Sequence, residues 1–234
     1  MNFFDSSIIS FLNGFARHSQ FFDTFVHMLS DNELLKGGVI AALIWWTWFR
    51  PHPNKTDHRH YLLCGIIACL MSVVVARSLA NTLPYRERPL RNPGVHFQVP
   101  YGVNQEELID WSSFPSDHAA VFFALATAIV LAWRAAGIVA FFHVVLFICL
   151  PRVYLGFHYP TDILAGAAIG ITVAWVASMD AVRKTVVRFA MPWLERSPST
   201  FYACLFILTF QIATIFESMR HVSHFFFQFL KAHS

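Results

Sequence analysis

Charged residues are scarce in this chain of 234 residues. Lys, Arg, Asp and Glu together make up 13% of the sequence, whereas an ordinary soluble domain has roughly 25%. Hydrophobic residues make up 56%, and the mean hydropathy is +0.50. This composition argues against a soluble enzyme and against a disordered chain. The net charge is only +3 and the sequence has no dense Lys/Arg cluster, so nothing indicates binding to nucleic acid.

Cysteine is also rare, and its pattern lacks any metal-binding or disulfide spacing. All four residues fall inside apolar runs, where a free cysteine acts as a small packing residue: Cys64, Cys69, Cys149 and Cys204.

Features of a cleaved signal peptide are missing as well. Asp5 interrupts the first apolar stretch, no basic residue precedes it, and no small-residue cleavage site follows. We therefore expect no cleaved signal.

Apolar runs are abundant, and they contain many of the 25 Phe and 7 Trp residues. A helix needs about 20 apolar residues to cross the hydrocarbon core of a bilayer. Six runs approach this length, near 34–49, 61–83, 117–133, 136–154, 161–181 and 200–217. The sequence therefore predicts an all-α, polytopic membrane protein with about six transmembrane helices.

The two ends of the chain have a different pattern. Residues 1–33 alternate apolar clusters with Asp5, Arg17, Asp23 and Asp31, which is typical of amphipathic helices that lie in the membrane interface. The C-terminal tail is expected to lie there too. The predicted organisation is an interfacial segment over 1–33, a membrane domain over 34–217 and an interfacial tail over 218–234.

The distribution of basic residues predicts the orientation. Six spans place both termini on one side, together with the loops 84–116 and 155–160. Three short loops on the other side hold eight of the 17 basic residues, namely Arg50, Lys55, Arg59, Arg134, Arg183, Lys184, Arg188 and Arg196. The positive-inside rule makes that side cytoplasmic. We therefore expect a multi-pass protein of the cell (inner) membrane, with the loop 84–116 facing the outside or periplasm.

Unusual polar residues gather on the predicted outer side, each group at the end of a span. They lie in three segments, over 77–89, 112–118 and 152–166. The candidate site residues in these segments are Arg77, Asn81, Arg86, Arg88, Ser116, Asp117, His118, Arg152, His158 and Asp162. Arginine offers a fixed charge and a planar set of donors that matches phosphate oxygens. The sequence therefore predicts a phosphate site at this end of the spans.

The histidines in these segments supply the groups that phosphate ester hydrolysis requires. Ser116 precedes a predicted helix, and the N-terminus of a helix attracts anions. His158 and Asp162 are four residues apart, so the carboxylate can hold one imidazole N–H and leave the other nitrogen free to attack. His118 comes from a different helix and can act as the general acid on the leaving oxygen.

The three segments resemble the signature motifs of the type 2 phosphatidic acid phosphatase superfamily, which includes the lipid phosphate phosphatases. The family patterns are Lys-x6-Arg-Pro, Pro-Ser-Gly-His and Ser-Arg-x5-His-x3-Asp, and their order and spacing match over about 77–166. The resemblance implies a hydrolase that needs neither metal nor cofactor. It places the nucleophile that forms a phosphohistidine at His158, the residue that orients it at Asp162 and the leaving-group acid at His118. The family's phosphate ligands fall on Arg88, Arg152 and Ser116.

The chain departs from the family patterns at three positions. Asn81 stands where the family has lysine, and either Arg77, one helical turn earlier, or Arg86 is expected to supply the missing cation. Asp117 stands where the family has glycine, and Pro151 where it has serine. The resulting Pro-Ser-Asp-His segment is similar to that of undecaprenyl-pyrophosphate phosphatases of the bacitracin-resistance type.

The leading hypothesis is therefore the hydrolysis of undecaprenyl pyrophosphate. Phosphatidate, phosphatidylglycerol phosphate and lipid A phosphate are alternative substrates, and transfer of the phosphate to another lipid is an alternative reaction. A protein that only binds anionic lipid would need no paired His and Asp. A metal site at His118, His158 and Asp162 is disfavoured because arginines crowd the same helix ends. The sequence does not indicate the oligomeric state.

Overall fold

The computed structural model describes residues 2–51, 55–104 and 111–214, and these ranges contain helices and loops without strands. The nine helices of the described ranges are α1 Phe3–Asn13, α2 Gln20–Asp31, α3 Leu34–Phe49, α4 Lys55–Thr82, α5 Asp117–Ala132, α6 Arg134–Tyr154, α7 Pro160–Ala177, α8 Asp180–Arg196 and α9 Pro198–Ala213. A short 3-10 turn, Pro93–Val95, lies between α4 and α5. The predicted all-α class is confirmed.

Six of these helices coincide with the six predicted apolar runs. Three are long and apolar enough to cross a membrane, namely His58–Thr82 within α4, α6 and α7, while α3, α5 and α9 are shorter apolar helices. Multiple apolar helices of this kind indicate an integral membrane protein. The predicted basic loop near 182–199 is mostly helical, because α7 ends at Ala177 and α8 begins at Asp180. The predicted tail 218–234 lies outside the described residues.

Helix α5 is the centre of the fold and packs against α4, α6 and α7. Most of its side chains are buried, and many of them are alanines that allow neighbouring helices to approach closely. A Cβ at Gly166 of α7 would lie 2.2 Å from the carbonyl oxygen of Ser116, so only glycine permits this approach. The Ser116 N–H donates to the carbonyl oxygen of Asp162 at 3.1 Å. This contact fixes the start of α7 beside the start of α5.

The two N-terminal helices dock on the same end of the bundle. Two of the charged residues in these helices, Asp5 and Asp23, are fully buried. Conversely, Phe3 and Phe21 are 88% and 82% exposed. The reason is that Asp5 accepts hydrogen bonds from Arg86 and from Thr161 in the first turn of α7, and Asp23 accepts one from the N–H of Tyr101. The aromatic residues are left to face the surroundings.

Candidate active site

The three polar segments meet at one end of the bundle through backbone hydrogen bonds. The N–H of Ser113 donates to the carbonyl oxygen of Arg86 at 2.9 Å, and the N–H of Leu90 donates to that of Gly156 at 3.0 Å. Gly156 has a φ of 76°, and a Cβ there would lie 2.7 Å from the Phe97 ring. The tight turn that carries the third segment from α6 to α7 therefore requires glycine.

His158 lies in this turn and is only 3% exposed. Its Nδ1 lies 2.8 Å from the carbonyl oxygen of Ser113. Because a carbonyl oxygen can only accept, Nδ1 carries the hydrogen and Nε2 keeps its lone pair. Burial lowers the pKa of His158 below its usual range, and the nearby guanidinium groups of Arg88 and Arg152 lower it as well. The neutral, nucleophilic form is therefore available at neutral pH.

Asp162 has a different contact from the one that its spacing predicts. Its Oδ2 lies 3.8 Å from His158 Nδ1, an ion-pair distance, while the imidazole N–H is directed to Ser113. The same Oδ2 accepts the N–H of Tyr159 at 2.8 Å, which caps the start of α7. Oδ1 accepts from the guanidinium of Arg86 at 2.5 Å. Asp162 thus fixes the backbone next to His158 and adds negative charge beside the ring.

His118 lies across the site at the start of α5, between a carboxylate and a guanidinium. Its Nδ1 is 2.9 Å from Asp117 Oδ1, and its Nε2 contacts the guanidinium of Arg152. Because arginine can only donate, this Nε2 accepts, and Nδ1 donates to Asp117. Ser116 caps α5 by accepting the N–H of Ala119 at 3.4 Å, so the predicted helix N-terminus lies beside both histidines.

Arg88 and Arg152 are buried together between the histidines, at 5% and 8% exposure. Burial and the nearby charge of Arg152 lower the pKa of Arg88 to about 10, so Arg88 remains charged at neutral pH. Among the described residues, the buried Nε of Arg88 and the buried hydroxyl of Ser113 have no hydrogen-bond partner. Leaving a buried polar group unsatisfied costs about 1–3 kcal/mol. A phosphate anion would provide acceptors and relieve the repulsion between the two cations.

The two candidates for the missing cation are both held by carboxylates. Arg77 pairs with Asp117 and lies 4.2 Å over the Trp111 ring, and Arg86 pairs with Asp5 and Asp162. Asn81 is exposed on the last turn of α4, and its side chain makes no hydrogen bond to any residue that the structure describes. The structure thus brings together every predicted site residue except Asn81.

Four arginines therefore face three carboxylates in this part of the molecule. Arg77 offsets Asp117, and Arg86 lies between Asp5 and Asp162. A net positive charge remains, concentrated at Arg88 and Arg152. The described residues contain no cluster of three His, Cys, Asp or Glu with the geometry of a metal site.

Sequence reasoning missed three residues that shape the site. Ser113 acts through its backbone carbonyl, which leaves no side-chain signal in the sequence. Asp5 and Thr161 contact Arg86. A lone carboxylate in an apolar helix such as α1 is costly in a membrane setting and is usually paired, so Asp5 did carry a signal.

Comparison with known families places this protein in a known class. The chain belongs to the PAP2 superfamily, whose sequence profile matches residues 61–186, more than half of its length. The resemblance noted in the sequence is thereby confirmed, and the chain is a hydrolase of this lipid phosphatase family. No solved structure shows significant similarity to it.

The relatives of this chain include two kinds of lipid phosphatase. The chain is 23% identical to the undecaprenyl-diphosphatase BcrC of Bacillus subtilis over 172 residues, which is 72% of this chain and 80% of that protein. It is 28% identical to the lipid A 4'-phosphatase of Bacteroides thetaiotaomicron over 180 residues, 74% of each chain. It is also 29% identical to the putative undecaprenyl-diphosphatase YbjG of Escherichia coli over 135 residues, which is 56% of this chain and 60% of that protein.

Proposed function

We propose that this chain hydrolyses a lipid pyrophosphate or phosphate through a phosphohistidine, without a metal ion. The observation that carries the proposal is the buried pair Arg88 and Arg152, flanked by two histidines with different hydrogen-bond partners. His158 has a free Nε2 lone pair, and His118 has a carboxylate on its Nδ1. The arginines would bind the phosphate oxygens, and Ser116 with the α5 N-terminus would add further donors.

The first chemical step follows from these positions. His158 Nε2 attacks phosphorus, the bond from phosphorus to the leaving oxygen breaks, and the electron pair goes to that oxygen. His118 donates a proton from Nε2 to the leaving oxygen. To do so it must be protonated there, which the Asp117 carboxylate favours once Arg152 turns its donors towards the phosphate. The lipid product leaves and a phosphohistidine remains.

The second step returns the site to its starting state. A water molecule attacks the phosphohistidine on the side from which the lipid left, and His118 takes the proton from that water. The bond between phosphorus and His158 Nε2 breaks, and inorganic phosphate is released. A lipid hydroxyl or phosphate in place of the water would give the alternative, phosphotransferase reaction.

Undecaprenyl pyrophosphate is the substrate that we favour. The Pro-Ser-Asp-His segment and the relatives from Bacillus subtilis and Escherichia coli support it. A lipid A phosphatase is the second candidate, because the relative from Bacteroides thetaiotaomicron is 28% identical over a similar share of this chain. In either case the hydrocarbon chains would stay in the bilayer while the charged headgroup enters the site.

A substrate panel tests the proposed activity. The purified protein in detergent should release phosphate from undecaprenyl pyrophosphate at a kcat/KM about 10-fold or more above that for lipid A phosphate, phosphatidate or phosphatidylglycerol phosphate. The activity should persist in EDTA, because arginines supply the charge. A preference for lipid A would select the second candidate. Transfer of labelled phosphate to an added lipid would indicate a phosphotransferase. The absence of turnover on every substrate would contradict the proposed activity and favour a protein that only binds anionic lipid.

We also propose that all six apolar helices cross the membrane and that the site faces the outside. The support is the basic density of the loops at the opposite end. In a variant without the four native cysteines, a cysteine at the exposed Gln98 should react with an impermeant maleimide in intact cells. A cysteine at the exposed Lys184 of α8 should react only after detergent is added. The reverse pattern would place the site in the cytoplasm and contradict an outer-leaflet substrate.

A further inference from the structure

The geometry points to Asp5 on α1 as a positioning residue for the site, acting on Asp162 and His158 through Arg86. This inference rests on the proposed function, because it concerns the nucleophile of that reaction. Asp5 lies outside the three signature segments and contacts neither of the buried arginines, Arg88 and Arg152, that are proposed to bind the phosphate. Its influence would therefore pass through the groups that hold the third segment in place.

Both oxygens of Asp5 are used, and all their long-range partners belong to the site. Oδ2 accepts from Arg86 Nη2 at 2.8 Å and from the hydroxyl of Thr161 at 2.7 Å. Oδ1 accepts the backbone N–H of Thr161 at 2.9 Å. The carboxylate is fully buried. Asp5 thus holds one arm of Arg86 and the first turn of α7 at the same time.

Arg86 transmits this constraint to the nucleophile. Its Nη1 donates to Asp162 Oδ1 at 2.5 Å and to the Thr161 hydroxyl at 2.9 Å, so the guanidinium bridges two carboxylates. It also lies 4.0 Å over the Tyr159 ring. The other oxygen of Asp162 holds the N–H of Tyr159, the residue that follows His158. A shift of Arg86 would therefore move the backbone that carries the attacking nitrogen.

Anchoring of α1 to the membrane gives no reason to bury a carboxylate. Phe3 and Phe11 are 88% and 68% exposed, and such residues suffice to hold a helix in the interface. A buried charge is costly unless it is paired and hydrogen-bonded. The Asp5 carboxylate offsets this cost by pairing with Arg86. It thereby keeps the Arg86 guanidinium between the two carboxylates instead of against Asp162 alone.

Asp23 provides a matched control for the test. It is equally buried on the neighbouring helix α2, and it binds the Tyr154 hydroxyl and the Tyr101 N–H rather than Arg86 or Asp162. Asp5→Asn should lower kcat about 10-fold and change KM less than about 2-fold, because positioning errors of this kind slow the chemical step. Asp23→Asn should keep both constants within about 2-fold of wild type. This should hold even if Asp23→Asn lowers the thermal unfolding temperature as much as Asp5→Asn does.

Coupling to Arg86 separates positioning from a structural role. In an Arg86→Lys background, where the bridge between the carboxylates is already lost, Asp5→Asn should cost less than about 2-fold further, and the two losses should not add. Four results would each overturn the inference. They are an unchanged kcat in Asp5→Asn, an equal loss of kcat in Asp23→Asn, a change in KM alone in Asp5→Asn, and additive losses of kcat when Asp5→Asn and Arg86→Lys are combined.

If Asp5→Asn folds poorly, a second variant tests the same inference. Thr161→Val leaves α1 intact but removes the hydroxyl that bonds both Asp5 and Arg86, and it should lower kcat several-fold at unchanged KM. Full activity of Thr161→Val would then overturn the inference. A wild-type protein without phosphatase activity would defeat the proposed function itself, whereas an active wild type with fully active Asp5→Asn defeats only the role of Asp5.

Discussion

Replacing His158 with Asn is expected to lower phosphate release roughly 10⁴-fold or more, because no neighbouring group can replace a covalent nucleophile. Asn retains an N–H donor at the position of Nδ1, so the bond to the Ser113 carbonyl oxygen can persist. It lacks the rest of the imidazole ring, including the attacking Nε2. Steady-state phosphate release on the purified variant measures the loss.

The control for this variant is His143→Asn. His143 lies in α6, where its Nε2 contacts the carbonyl oxygen of Lys36 and its ring stacks on Phe147, far along the helix from the site. Its activity should stay within about 3-fold of wild type. Rapid quenching with labelled substrate should trap an acid-labile, base-stable phosphoenzyme in the wild type and in His143→Asn. Trapping of the same species in His158→Asn would assign the nucleophile to another residue.

His118→Ala has the second largest expected effect, a loss of about 10²–10⁴ in kcat, the usual size for a general acid. The loss should be smaller for a pyrophosphate than for a lipid monoester, because a departing phosphate needs less protonation than an alkoxide. An aryl phosphate, with its good leaving group, should show the smallest loss. The measurement is kcat for each substrate with the wild type and the variant.

Equal losses on all three substrates would show that His118 only binds phosphate. Asp117→Asn is the informative companion variant, because it keeps a hydrogen-bond acceptor at Nδ1 and removes the charge that favours the imidazolium. It should follow the same order of substrates with smaller losses. It also frees Arg77 from its carboxylate. A rise in phosphate affinity that is abolished when Arg77→Ala is added to this variant would show that this guanidinium can reach the substrate.

The helices and the convergence of the three motifs could be predicted from the sequence because each depends on local patterns. Apolar runs of sufficient length specify helices in a membrane, since only internally hydrogen-bonded segments are tolerated there. The polar segments stand at the ends of those runs, so an even number of crossings places them on one side. Gly166 then sets how closely α7 can approach α5.

The hydrogen bonds within the site could not be predicted, because they depend on groups that leave no pattern. Spacing pairs His158 with Asp162, yet the imidazole N–H is directed to the backbone carbonyl of Ser113. The replacements at Asn81 and Asp117 look like separate departures from the family pattern. The structure connects Asp117 with Arg77 instead, because a carboxylate at the start of α5 lies within reach of an arginine one turn before Asn81.

The pairing of Asp5 also has a consequence for how the protein is made. Asp5 is synthesised 81 residues before Arg86 and 156 residues before Thr161. A chain emerging from the ribosome at about 5–20 residues per second therefore carries this carboxylate without its partners for many seconds. During that time the Asp5 carboxylate must stay in contact with water, because the charge is costly to bury alone. Helix α1 thus reaches its final contacts only after α7 has been synthesised, so the catalytic end is completed late in assembly.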